Sequence, residues 1–221
     1  MSVLKKPFMV SQPRLPRNKT ELENREAAGF WRTIALSRAI GESKERITLS
    51  TILRIHKTML GSAYPDIAGR FRKKEDVKKL KCIEPPPGRE VEQRMYASWK
   101  ELDVKLATLP RHPKKYTKHQ QKTWRAEVVH LAAWTQHQIA AIHPFCEGNG
   151  RIARLMTNLI LRRYGLPPTS VDFGRNREDY LHALCQIDRF GDYEPLETLI
   201  VKGVMESYKK EEKLRLRKRV A

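Results

Sequence analysis

No run of about eighteen consecutive apolar residues occurs in this chain, so the sequence predicts no membrane-spanning helix. Cysteine is scarce. Cys82, Cys146 and Cys185 are odd in number and far apart. That argues against a disulfide framework and against zinc, and makes a reducing cytoplasm the simplest compartment. Residues 1–15 are basic but have no apolar centre, so no secretory signal is expected. There is no internal repeat, no low-complexity block and no zinc-finger or RNA-recognition motif. Acid is also short: 25 Asp and Glu stand against 44 Lys and Arg, a net charge of +19.

The positive charge is clustered. Residues 111–126 hold six Lys or Arg and no acid, and residues 209–219 hold seven against Glu211 and Glu212. A third cluster, Arg70, Arg72, Lys73, Lys74, Lys78 and Lys79, faces only Glu75 and Asp76. Such a surface would steer nucleic acid, acidic proteins or a nucleotide toward the molecule, or could simply be solvated charge. No motif supports the nucleic-acid reading.

With 221 residues, 40% hydrophobic, the chain is long enough for one well-cored domain. Residues 1–19 read as a basic, proline-bearing arm, 20–208 as the domain and 209–221 as a basic tail. Helical spacing of apolar residues predicts a helix from Thr20 to Ile40, ended by Gly41, and a second after Thr48. His56 falls on the apolar face of the second and reads as a core histidine. Further helices are expected over Glu90–Leu109, Thr117–Ile142, a segment ending near Tyr164, Arg175–Ile187 and Pro195–Arg215. His130 and His137 lie seven apart on one of them, a spacing that suits packing or surface roles better than a metal pair. Residues 69–87, closed by Pro85, Pro86 and Pro87, cannot be one helix. A short hairpin is the expectation there, with an ordinary loop as the alternative.

The richest segment runs from His143 through Pro144, Phe145, Cys146, Glu147, Gly148, Asn149, Gly150, Arg151, Ile152 and Ala153 to Arg154. An apolar helical pattern follows, so the glycines mark a loop-to-helix junction. A helix N-terminus offers unpaired N–H groups and a positive dipole end, and glycine lets an anion approach closely. Arg151 and Arg154, three apart, share a helix face beside it. Glu147 suits Mg²⁺ held jointly with a nucleotide, and His143 can take a proton near neutral pH. Cys146 beside His143 also allows a thiol-nucleophile reading.

This string resembles the Fic family motif, His-Pro-Phe-x-(Asp/Glu)-Gly-Asn-Gly-Arg-x-x-Arg, and matches it at every specified position. The resemblance implies a mainly α Fic fold, a helical bundle with a small β-hairpin flap near the active site. It implies a protein adenylyltransferase that moves AMP from Mg-ATP to a Ser, Thr or Tyr hydroxyl of a target protein. In those terms His143 is the general base, Glu147 holds Mg²⁺, and Phe145 anchors the loop. Gly148, Asn149 and Gly150 cradle phosphate, and Arg151 and Arg154 contact the β- and γ-phosphates. The flap would include Leu80, Lys81, Cys82 and Ile83 and hold the target by strand pairing.

Alternatives are another transferred group (UMP, phosphocholine or phosphate) or a non-catalytic, basic nucleic-acid-binding module. Fic proteins are commonly restrained by a helix carrying Ser/Thr-x-x-x-Glu-(Gly/Asn). Ser207–Glu211 and Thr123–Glu127 have the spacing but lack the final residue. A toxin restrained by a separate antitoxin is therefore the expectation, with Ser207–Glu211 as a degenerate C-terminal inhibitory helix the alternative, in the cytoplasm or delivered from a bacterial cytoplasm.

Overall fold

The computed structural model describes residues 14–73, 81–111, 113, 115–169 and 177–220, with side-chain surroundings described as far as residue 217. Seven helices account for most of these residues: α1 (Lys19–Glu42), α2 (Leu49–Leu60), α3 (Gly88–Thr108), α4 (Lys118–Ile142), α5 (Asn149–Arg163), α6 (Arg177–Phe190) and α7 (Glu194–Val220). Three of these starts have a clear side-chain cause. Asn18 accepts the Glu21 N–H before α1, and Thr48 and Thr117 form capping boxes with Thr51 and Gln120 before α2 and α4.

α5 is the central helix. Ile152, Ala153, Leu155, Met156, Leu159, Ile160 and Leu161 are all buried on it, so a broad apolar face packs inward while Arg151, Arg154, Asn158 and Arg162 share the remaining side. α4 packs along α5, and α1 packs across α2 and α5. α6 and α7 lie together against α4. Gly41 does not end α1, which continues through Glu42. A Cβ there would stand 3.0 Å from the Leu159 carbonyl and from Arg162 Cβ, so glycine serves close approach of α1 to α5.

α7 continues helically through the basic tail to Val220, beyond its last buried residue, Ser207. Most of the expected arm, residues 1–13, lies outside the described residues, as does Leu80 of the expected flap. A hairpin over 69–87 is not seen among the described residues: Lys81 and Cys82 form a turn, and Ile83 is a single bridge residue buried in the core.

The cysteine expectation needs correcting. Cys82 and Cys185 are disulfide-bonded, with Cα atoms 5.7 Å apart, and Cys146 alone is free. The fold lays the 81–83 turn against α6, and Lys81 Nζ reaches Glu178 Oε2 at 3.1 Å beside the bond. A pair 103 residues apart leaves no local spacing to detect. Among the described residues no helix is long and apolar enough to cross a membrane.

Candidate active site

α4 runs into the motif and stops at His143, whose backbone is left-handed at φ 50°, ψ 59°. For a residue with a Cβ this conformation lies about 1 kcal/mol or more above the helical one, so the surroundings must hold it. Arg72 does much of that. Its buried guanidinium donates from Nε to the His143 carbonyl at 2.7 Å and from Nη2 to the Ile142 carbonyl at 3.3 Å. These carbonyls lie at the negative end of α4, beyond its own hydrogen bonding, where a cation is favoured. Burial lowers the His143 pKa, the Arg72 charge lowers it further, and the Ala140 backbone opposes the shift. The imidazole is therefore a neutral base at pH 7. Its Nδ1 is buried without a well-formed hydrogen bond.

The loop after His143 is clasped from within. The Phe145 N–H donates to Asn149 Oδ1 at 2.9 Å, and Asn149 Nδ2 donates to the Phe145 carbonyl at 2.7 Å. The Asn149 side chain is buried by this exchange and shapes the loop. Phe145 is fully buried and stacks on His56, with ring centroids 3.8 Å apart and planes 7° from parallel. His56 Nδ1 accepts the Gly69 N–H at 2.8 Å, which leaves the proton on Nε2 to donate to the Glu147 carbonyl at 3.0 Å. Burial pulls the His56 pKa down to about 4 against that carbonyl, so the ring is neutral.

Gly148 caps α5 at φ 82°, and a Cβ on it would press within 2.8 Å of Met59 Cε. The first helical bond joins the Ile152 N–H to the Gly148 carbonyl. The N–H groups of Asn149, Gly150 and Arg151 therefore stand without a helical acceptor at the positive end of the dipole. Gly150 is informative in another way. A Cβ there would meet only Arg154 Nη1, at 3.4 Å. The protein leaves that space open, as close approach of an anion requires.

Arg151 Nη1 donates to Glu26 Oε1 of α1 at 3.0 Å, both groups half-buried. Arg154 is largely enclosed; burial lowers its pKa, opposed by Tyr180. Both arginines face a groove of about 310 Å³ between α1 and α5, floored by Phe30, Ile34 and Leu155. A larger cleft of about 560 Å³, lined by Lys105, Leu109, His130 and Glu197, contains no motif residue. His130 pairs with Glu197 at 2.7 Å, and His137 is buried against Tyr193.

Glu147 is exposed at the mouth of the loop. Among the described residues no group of three His, Cys, Asp or Glu is placed to hold a metal ion. One carboxylate beside a phosphate cradle still fits Mg²⁺, which keeps few protein ligands when it rides on a nucleotide.

The motif residues are thus assembled by α4, the loop and α5. Sequence reading missed three contributors: Arg72 in a charged stretch, His56 on an apolar face, and Glu26 on a weakly amphipathic helix. None carries a local signal, because each meets the motif across the fold. Lys81 and Cys82 make their described contacts with α6 instead.

A family model described as the Fic/DOC family matches residues 46–161. The chain belongs to that family. Among curated relatives, the protein adenylyltransferase Fic of Nematostella vectensis is 32% identical over 180 residues, 80% of this chain and 37% of the relative. That of Aedes aegypti is 35% identical over 150 residues, 67% of this chain and 26% of the relative. This Fic chain therefore spans well under half the length of either. Among solved structures, Fic-1 (aa134 - 508) from C. elegans covers 93% of the chain and 55% of its own, with TM-score 0.67 and 24% identity. A Fic domain containing signaling protein from Bacteroides thetaiotaomicron gives 0.69 at 22% identity, covering 86% and 71%. These likenesses establish the helical Fic fold.

Proposed function

We propose that this Fic domain transfers AMP from Mg-ATP to a Ser, Thr or Tyr hydroxyl of a target protein. The observation that carries the reading is the pairing of a neutral, backbone-fixed His143 with a ready anion cradle at α5. The N–H groups of residues 149–151 and the open space at Gly150 take the phosphates, while Arg151 and Arg154 hold the outer ones as leaving group. Asn149 contributes by fixing the loop. Mg²⁺, held by Glu147 and the phosphates, would supply charge neutralisation. His143 accepts the proton of the attacking hydroxyl. The names of the curated relatives support adenylyl transfer over UMP, phosphocholine or phosphate transfer. Lys81, Cys82 and Ile83, with Leu80, remain our proposed target-docking segment by their order relative to the motif.

The test is differential labelling. With ATP labelled at the α- or γ-phosphate, only the α-label should enter protein, and His143→Ala should reduce incorporation by about 100-fold or more while nucleotide binding persists. Incorporation of the γ-label, or near-normal transfer by His143→Ala, would defeat the reading.

We further propose that restraint, where needed, comes from a separate antitoxin-like protein. Ser207 Oγ donates to the Pro168 carbonyl at 2.7 Å, and the Glu211 charge acts on Arg162 instead of Arg154. The groove between α1 and α5 offers the space beside both motif arginines. Glu211→Gly should then leave the labelling rate within about twofold, since an exposed ion pair contributes little; a large activation without any partner would place the inhibitor in α7. On compartment, the cytoplasmic reading rested on unpaired cysteines. Thiol trapping in intact cells decides between it and the oxidising setting that the Cys82–Cys185 bond favours.

A further inference from the structure

Arg72 lies outside the motif, yet it is among the largest side chains fully enclosed by the protein. Hydrogen bonds to four backbone carbonyls help fix it. Its backbone N–H donates to the Pro144 carbonyl at 2.9 Å, and Nε donates to the His143 carbonyl at 2.7 Å. Nη2 donates to the Ile142 carbonyl at 3.3 Å and to the Pro86 carbonyl at 2.6 Å. A guanidinium is a rigid planar fork, so the carbonyls it serves are fixed relative to one another. Two of them close α4 at the base. The third, on Pro86, lies at the far end of the segment that begins at Arg72 itself. One cation therefore joins both ends of residues 72–86 to the backbone of His143.

We propose that Arg72 is a positioning residue for the transfer reaction: it aims the His143 imidazole and fixes its distance from the backbone at Pro86. The inference rests on the reading of His143 as the base. Arg72 acts through backbone carbonyls and touches neither nucleotide nor acceptor. A displacement of about 1 Å at a reacting group can reduce a rate by on the order of 100-fold, so a fork in this place has a large effect on turnover. Lysine would keep the charge but cannot span three carbonyls in one plane.

Arg72→Lys and Arg72→Met in the full chain separate positioning from packing. Four readouts are taken: the rate of α-label incorporation into lysate protein at saturating ATP, the KM for ATP, calorimetric binding of a non-hydrolysable ATP analogue with Mg²⁺, and carbethoxylation of each histidine by diethyl pyrocarbonate without nucleotide. In Arg72→Lys the rate should fall by about 30-fold or more while KM and analogue affinity stay within about twofold. His143 should carbethoxylate several-fold faster, with the exposed His130 and His182 unchanged. Millimolar guanidinium should restore part of the rate in a folded Arg72→Met, and an alkylammonium salt should not.

A wild-type rate in Arg72→Lys, a parallel loss of analogue binding, or an unchanged His143 reactivity would overturn the proposal. So would thermal unfolding of both variants, because Arg72 would then be a core element only. Should wild-type protein incorporate no α-label while Arg72→Lys still exposes His143, the adenylyl-transfer reading fails and the positioning role stands.

Discussion

His56 shows how one side chain can tie the motif loop to the body of the protein and leave a thermodynamic trace. Its ring must be neutral to accept from Gly69 and donate to Glu147. The folded pKa is about 4, whereas an unfolded histidine titrates near 6.5. Between these values the unfolded chain binds a proton that the folded chain refuses. Stability is therefore full above pH 6.5 and falls as pH drops toward 4, by about 3 kcal/mol at the lower end. His137 and His143, both lowered by burial, act in the same direction. Urea midpoints at a series of pH values between 7 and 4 should follow this slope, and His56→Gln should flatten it. An equally steep slope in that variant would show that other groups carry the effect.

At the scale of elements, helices were legible because their signals are local. Apolar spacing named α2, α4 and α5, and Thr48, Thr117 and Gly165 marked their limits within a residue or two. The string from His143 to Arg154 was legible because loop and helix start are contiguous in sequence. What could not be read was pairing across the chain. Arg72 meets His143 over 71 residues, Cys82 meets Cys185 over 103, and Arg151 meets Glu26 over 125. No periodicity carries such information.

The disulfide gives this scale its own prediction. Closing a loop of this length restricts the unfolded chain, so Cys82→Ser, or reduction, should lower the unfolding free energy by about 4 kcal/mol. Calorimetry with and without reductant measures it. Two titratable thiols in native protein under air, beyond that of Cys146, would show that the bond does not form.

For the whole molecule the dominant fact is the +19 charge and its placement. Lys118, Lys122 and Arg125 on α4 and Lys209, Lys210, Lys213, Arg215 and Arg217 on α7 are all exposed. Exposed charge acts over about a Debye length, so its effects belong to encounter and not to chemistry. Raising salt from about 50 to about 200 mM should weaken binding of a short DNA duplex by roughly an order of magnitude or more, regardless of His143→Ala. The α-labelling rate at saturating ATP should change by less than about twofold over the same range. A transfer rate that followed the duplex affinity would mean that polyanion binding and chemistry are one function.

The mutual bonds between Phe145 and Asn149 have a kinetic consequence. They are made wholly between protein groups, and His56 and Arg72 hold the same loop from two further sides. A ligand arriving at α5 finds its receptor already ordered, and little backbone entropy remains to be lost on contact. Nucleotide association should then be a single bimolecular phase whose observed rate climbs linearly with concentration, without the plateau that a slow closing step would impose.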